Sequence, residues 1–441
     1  MASEWREVAI GELVEIFDGP HATPPKTSHG PVFLGISNLA QGRLDLANTE
    51  HLSEEDYVRW TRRVEPQAGD VVFSYETRLG EAAFIPPGLR FCLGRRMGLL
   101  RARTGKVDRR FLLYAYLGPQ FQGTLRARTI HGSTVDRIPL IDMPRFPIEV
   151  PDSVDEQRAI AHILGTLDDK IELNRRMNET LEAMARVLFK SWFVDFDPVR
   201  AKAEGRDTGL PPHIADLFPD SFEDSELGEI PKGWEVVTIG LVADVIDCLH
   251  SRKPERRETG MPLMQLANIR DDGLMDMQDT YFIDEDDYQE WVSRMEASPG
   301  DCVITNVGRV GAVAQMPVGQ RAALGRNMTG VRCKPSFPFP TVLIQSLLSQ
   351  AMKDEIVLKT DTGTILDALN VRSIPRLRLV CPSRELLKEF EHRVRLLRAQ
   401  MERHFRESRT LASLRNALLP MLTSGELRTR DAVLSEKETD E

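Results

Sequence analysis

The sequence predicts an α+β protein built twice over, with two tandem-repeated α/β modules and two long helices that pack on each other as an antiparallel coiled coil. Three observations carry this prediction. From about Asp155 to Trp192, Ile160, Leu164, Leu167, Ile171, Leu181, Ala185 and Leu188 recur at spacings of four and three, the seam of a helix that packs lengthwise on another. A partner seam runs through Leu387, Phe390, Val394, Leu397, Met401, Leu411 and Leu418. The stretches before the two helices match each other at an offset of about 230 residues, the mark of a tandem duplication.

Taken in order, residues 1–154 form the first module. Its short apolar runs WREVAIGELVEIF, PVFLGISNL, GDVVFSY and MGLLRA, punctuated by Gly, Pro and Asn, read as strands with some helix between them. Residues 155–193 are the central long helix. Residues 194–229, rich in Pro, Gly and acidic side chains, read as a linker that leaves the second module free to pack. Residues 230–383 form the second module, because WEVVTIGLVADVIDC aligns with WREVAIGELVEIFDG, PGDCVITNVGRVGAVA with AGDVVFSYETRLGEAA, and TGTILDAL with HGSTVDRI. Residues 384–427 are the C-terminal long helix, and the charged residues 428–441 read as a mobile tail.

Both seams contain polar interruptions, Asn174 and Asn178 in the first and His404 and Ser408 in the second. Buried, such residues would fix register at some cost in stability. Exposed, they would meet solvent or another protein, and the sequence leaves both readings open.

With 41% hydrophobic and 28% charged residues, the 441-residue chain has the composition of a soluble globular protein of two domains. No apolar run approaches the roughly 20 residues of a membrane helix, and MASEWREVAI lacks the features of a signal peptide. A cytoplasmic protein with no membrane partner is expected. The five cysteines are scattered, with no CxxC pair, which speaks for buried reduced thiols rather than disulfides or zinc. A net charge of −10 weighs against nucleic acid as a partner, yet basic clusters stand at 253–258 (KPERRE), 103–110 (RTGKVDRR) and 125–129 (LRART).

Catalytic motifs do not emerge. GLLRARTGKV at 98–107 has the wrong glycine spacing for a phosphate loop, and no HExxH pair is present. Asp168, Asp169 and Lys170 lie side by side on the first long helix, where adjacent positions do not converge on a metal, and are expected on a solvated face. The helix-turn-helix look-alike around Gly165 is interrupted by a seam that continues through Leu167 and Ile171. Neither a glycine-rich methyl-donor loop nor an Asn-Pro-Pro-aromatic tetrapeptide occurs.

The two-module layout, the string LFKSWFVDFDPVRAK at 188–202 and the string ELGEIPKGWEVV at 226–237 together resemble the specificity subunit of type I restriction-modification enzymes. The resemblance covers almost the whole chain. It implies two target-recognition domains spaced by the antiparallel coiled coil, in a subunit that is not itself an enzyme. The implied partners are double-stranded DNA, two methyltransferase (M) subunits and restriction/translocase (R) subunits. No cofactor is expected on this chain; S-adenosylmethionine, ATP and Mg are expected on the partner subunits. A helix of about 35 residues is roughly 50 Å long, against about 34–36 Å for one turn of B-DNA, so the modules would address two different half-sites around an unread spacer. The modules would also hold the duplex while a partner flips out the base to be modified.

Base readers are expected in the variable loops between matched framework strings. In the first module these are Lys26 and His29 (with His21, Thr23 and Ser28), Tyr75, Thr77 and Arg78 (with Glu76), and Ser133 and Thr134 (with His131). In the second they are Arg252, Lys253, Arg256 and Arg257 (with Ser251), Asn306, Arg309, and Thr364 (with Thr362). Arg78 and Arg309 hold matching places before a glycine and could equally be phosphate clamps. No catalytic or metal-binding residue is expected. Two other readings use the same layout, a DNA-binding specificity factor of another defence or mobile-element system without methylation, and a structural adaptor that binds no DNA.

Overall fold

The structure, a computed structural model, describes residues 4–21, 23–40, 42–46, 49–132, 135–277, 280–361 and 367–428. The expected mobile tail lies almost wholly outside the described residues. Two compact units divide the chain, Met1–Leu173 with Glu407–Glu441 and Asn174–Arg406.

In the first unit the apolar runs form an antiparallel sheet in the spatial order Val14–Asp18, Met97–Ala102, Val71–Ser74, Ala82–Phe84. VVFS at 71–74 is buried at every position, as a strand covered on both faces must be. A second sheet joins Glu50–His51, Thr27–Leu34 and Phe91–Leu93. Trp5–Ala9 pairs with Pro147–Pro151, which fixes the start of the chain beside the segment leading into the first long helix. The helices Arg109–Leu117 and Pro119–Arg128 pack on the first sheet, the former capped by Asp108, whose carboxylate accepts from the Arg110 and Phe111 amides.

The second unit repeats this plan in the same spatial order, Ala243–Asp247, Met328–Cys333, Cys302–Thr305, Val313–Gln315. Glu235–Thr238 pairs with Arg378–Cys381 as its first-unit counterparts do. The duplication extends to buried polar groups. Asp70, almost fully buried, takes Arg101 at 2.7 Å and the Gln67 amide at 2.8 Å. Asp301 takes Arg332 at 2.5 Å and the Ser298 amide at 2.7 Å. Each arginine also donates to a backbone carbonyl, Glu65 in one unit and Glu296 in the other, both at 2.8 Å. Asn38 and Asn268 close matching turns, each accepting from a backbone amide and donating to a carbonyl. A buried carboxylate left without its arginine would be strongly destabilising, so each copy keeps both members of the pair.

The long helices span Val154–Phe193 and Arg384–Thr423. Each runs unbroken, through Gly165 in the first case, which excludes the helix-turn-helix look-alike. Within the first unit Asp168 pairs with Arg415 at 2.7 Å and Lys170 with Glu407 at 3.4 Å, and Leu164 shares a core with Leu422. Within the second, Asn178 donates to the Met401 carbonyl at 3.1 Å and the Phe189 and Phe390 rings lie 5.7 Å apart. Numbers rise on one helix as they fall on the other, so the pairing is antiparallel in both units. The second helix ends four residues short of the expected 427, where Gly425 adopts a left-handed φ of 73° and closes the terminus.

Of the polar interruptions, Asn174 and His404 are buried and Asn178 and Ser408 half-buried. Asn174 is inaccessible and donates to the His404 carbonyl, while the His404 ring meets Asn178 Oδ1 at 2.9 Å through Nδ1. A slip by one turn would part Asn178 from the His404 ring and bring it against Leu397 or Phe405, so these groups favour this alignment.

Two expectations need correction. Residues 194–229 are not a free linker, because they form the helices Asp197–Ala203 and Pro212–Ala215 and a hairpin, Phe222–Ser225 with Gly228–Pro231. Phe196, Val199, Ile214, Phe218 and Ile230 are buried in the second unit's core with Trp192 and Trp234, and this apolar content outweighs the Pro and Gly around it. Nor do the acidic residues at 168 and 169 form a purely solvated face. Asp168 also accepts from the Tyr114 hydroxyl at 2.7 Å, and Asp169 from Arg110 at 2.9 Å, bracing the helix Arg109–Leu117 against both long helices.

Candidate nucleic-acid interface

At the end of strand Val71–Ser74 the chain turns through Tyr75, Glu76, Thr77 and Arg78. Ser74 Oγ donates to the Glu76 carbonyl at 2.7 Å, and Arg96 pairs with the Glu76 carboxylate at 2.8 Å. Thr77 is thereby held at φ 71°, a left-handed conformation unfavourable for a β-branched residue; the matching residue of the second unit is Gly308, at φ 90°. Glu76 bridges to Arg137, Arg137 to Ile130, and the Ile138 amide donates to the Tyr75 carbonyl at 2.9 Å. The turn bearing Thr77 and Arg78 is thus joined to the hairpin that carries His131 and leads to Ser133 and Thr134. Those last two lie outside the described residues.

The other first-module candidates fall elsewhere. Tyr75 points inward and is buried, with burial and nearby Asp18 raising its hydroxyl pKa, so its expected role as a base reader is corrected to a core one. Lys26 lies over the Phe33 ring and pairs with Glu50 at 3.0 Å; burial pulls its pKa down. His29, exposed in the middle strand of the second sheet, meets Ser28 Oγ at 3.1 Å. Arg78 pairs with Glu81 at 2.6 Å and donates to the Ile36 carbonyl at 3.3 Å, leaving its guanidinium partly exposed.

In the second unit Arg309 repeats that role, donating to the Ile269 carbonyl at 2.7 Å and pairing with Asp271. Asn306 is buried, donating to the Leu369 carbonyl at 3.1 Å and accepting from Thr329 at 2.9 Å, so its reading as a base contact is likewise corrected. The Leu369 amide donates to the Asn306 carbonyl at 2.9 Å, as the Ile138 amide does to the Tyr75 carbonyl in the first unit, tying the turn to residues 368–369. Thr362 and Thr364 lie outside the described residues.

The loop 252–257 holds its cations around one ring. Lys253 Nζ lies 4.1 Å and the Arg256 guanidinium 5.8 Å from the Tyr281 ring, whose hydroxyl donates to the Pro254 carbonyl at 2.7 Å. Arg257 is tied to Asp284 and Glu255, both at 3.2 Å, while Arg252 is exposed. This shelf presents Arg252, Lys253 and Arg256, none of them in an ion pair among the described residues, a surface suited to phosphate.

Sequence reasoning passed over a further basic group in the first unit. Arg59, Arg62 and Arg63 follow one another around the end of the helix Glu54–Trp60, beside Asp18, His21 and Trp60, and line a cleft of about 390 Å³. The string RWTRR at 59–63 was the available signal. For metals, the donor atoms of Asp247, Cys248 and His250 lie within 4.8 Å of one another. Asp247 Oδ2 is engaged by His250 at 2.8 Å and by Arg294 at 3.7 Å, and the arginine's positive charge beside that oxygen opposes a cation. Cys248 is buried, which raises its thiol pKa and disfavours the thiolate a metal needs.

Among the described residues no helix is long and apolar enough to cross a membrane. Residues 2–183 match the family described as type I restriction modification DNA specificity domain. The chain is 25% identical over 338 residues to the type I restriction enzyme HindI specificity subunit of Haemophilus influenzae, covering 67% of this chain and 72% of that one. It is 25% identical over 289 residues to the MjaIX specificity subunit of Methanocaldococcus jannaschii, covering 64% of this chain and 62% of that one. The fold resembles the crystal structure of a type I restriction-modification S subunit from M. genitalium, with a TM-score of 0.56 at 15% identity over 95% of this chain and 96% of that one. With its duplicated modules and paired long helices, the chain is similar to the specificity subunits of type I restriction-modification enzymes, and its residues 2–183 match the DNA specificity domain of that family.

Proposed function

We propose that this chain is the DNA sequence-recognition subunit of a type I restriction-modification complex, each module reading one half-site of a bipartite target. The observation that carries this reading is a pair of modules with one interior and two surfaces. The Asp–Arg clamps, the order of the main sheet and the Asp18–His21–Arg63 group, answered by Asp247–His250–Arg294, repeat, whereas residues 22–30 and 251–260, and Arg59 and Arg62 against Glu290 and Ser293, differ. Repeated scaffolds with divergent loops suit recognition of two different sequences.

The chain performs no chemistry in this reading. Asp168 and Asp169, its most enzyme-like carboxylates, are spent on Arg415, Tyr114 and Arg110. Methyl transfer and cleavage fall to partner subunits carrying S-adenosylmethionine, ATP and Mg, with two methyltransferase subunits matching two modules. Leu173, Met177, Met184 and Val187 leave an exposed apolar line on the first long helix, at the seven-residue repeat and one position before the buried seam, and this line suits a partner's helix. The test is a genome-wide map of methylated bases with and without this chain, in cells that keep the partner methyltransferase. A bipartite methylated motif should vanish with the chain; an unchanged map would sink the reading.

A further inference from the structure

The cleft beside Arg59, Arg62 and Arg63 separates the two modules chemically. Three guanidinium groups line it against one carboxylate, Asp18. That carboxylate is already engaged by His21 at 2.7 Å and by Arg63 at 3.8 Å. Arg59 and Arg62 are exposed and form no ion pair among the described residues. Arg59 lies 5.8 Å from the Trp60 ring, and the buried Trp60 indole N–H has no acceptor. Two exposed guanidinium groups without a counter-charge on one cleft match an anion whose several oxygens can accept at once.

The position favours a phosphate of the duplex as that anion. The Gly19 amide donates to the Met97 carbonyl at 2.9 Å, and the Tyr75 amide to the Arg96 carbonyl at 3.2 Å, so the cleft wall is continuous with the turn bearing Thr77 and Arg78. The second module keeps the Asp–His–Arg group, as Asp247, His250 and Arg294, but not the two unpaired arginines. Glu290 stands at the place of Arg59, held by Ser251 Oγ at 3.1 Å, Ser293 at that of Arg62, and the buried Cys248 at that of Gly19. We propose that the cleft seats a backbone phosphate of bound DNA through Arg59 and Arg62, and that this anchor exists in the first module alone. The inference rests on the DNA-recognition reading above.

The test uses the full chain and a mixed-sequence duplex of about three helical turns, with affinity measured against salt concentration. The double variant R59Q/R62Q should lower the logarithmic salt slope by about 1.8, roughly 0.9 for each lost phosphate contact. Arg145→Gln, at a highly exposed arginine of the same module, serves as the control and should leave the slope unchanged. Circular dichroism of the variants should match the parent, since both altered cleft residues are exposed. An unchanged slope in the double variant, or an equal fall with Arg145→Gln, would overturn the cleft assignment while leaving DNA recognition intact. Failure of the parent chain to bind any duplex at low salt would overturn both.

Discussion

In the first module positive charge gathers at Arg59, Arg62 and Arg63, around a cleft closed on one side by Asp18 and His21. In the second, the matched places carry Glu290, Ser293 and Arg294, and the cations sit instead on the loop 252–257 around Tyr281. Beneath these surfaces the interiors coincide, with Asp70–Arg101 answered by Asp301–Arg332 and Asn38 by Asn268. The contrast separates two kinds of constraint. Interior polar groups must find partners wherever the fold places them, so both copies keep the same ones. Surface charge carries no such obligation and can move from one loop to another without disturbing the core.

The largest effect should come from exchanging residues 1–150 for the first module of another specificity subunit. One half-site of the methylated motif should change and the other stay, each misread base pair having cost about 1–3 kcal/mol of discrimination. Sequencing of the methylated motif checks this, and a change in both half-sites would end the separation of the modules. Next in size are the interior clamps. Asp70→Ala and Asp301→Ala should each cost about 3 kcal/mol, because each strands an arginine beside a buried vacancy. Urea unfolding monitored by a probe in each unit would measure both, and a loss in only one would show that the shared interior is not energetically shared.

The smallest effect concerns acid. Arg378 donates twice to Glu355, at 3.1 Å each, and this pairing holds the Glu355 carboxyl below its usual range. At the matched place the first module has only a long neutral contact, Thr124 Oγ1 to the Pro147 carbonyl at 3.5 Å. Because the folded pKa is depressed, the contribution is complete above the unfolded value of 4.5 and is lost as pH falls through the folded pKa. Acid below that value should therefore weaken the second unit by about 1–2 kcal/mol relative to a Glu355→Gln variant whose stability lacks this dependence. Parallel acid curves for the parent and the variant would rule it out.

The long helices and the duplication were legible because both are patterns in one dimension. Seven-residue spacing from Ile160 to Leu188 and a constant offset between copies need no knowledge of what folds against what. Individual contacts were not. Tyr75 and Asn306 stand in polar loops next to charged neighbours, and nothing in those strings marks their side chains as buried by residues 130–138 and 368–369. The string PVRAKAEGRDTGLPPHIADLFPDSF reads as a linker by composition, yet its few apolar residues find Trp192 and Trp234 and fold.

By itself, then, the amino-acid order determined the periodic and the repeated: two modules, two helices, their antiparallel pairing and the polar residues that interrupt the seams. Tertiary structure decided whether each polar side chain faces protein or solvent. It set Asn174, Asn178 and His404 against one another, turned Asn306 inward, and left Arg59 and Arg62 facing an open cleft. The physical reason is that burial depends on partners distant in sequence, and the free energy of a polar group changes sign with whether such a partner is met.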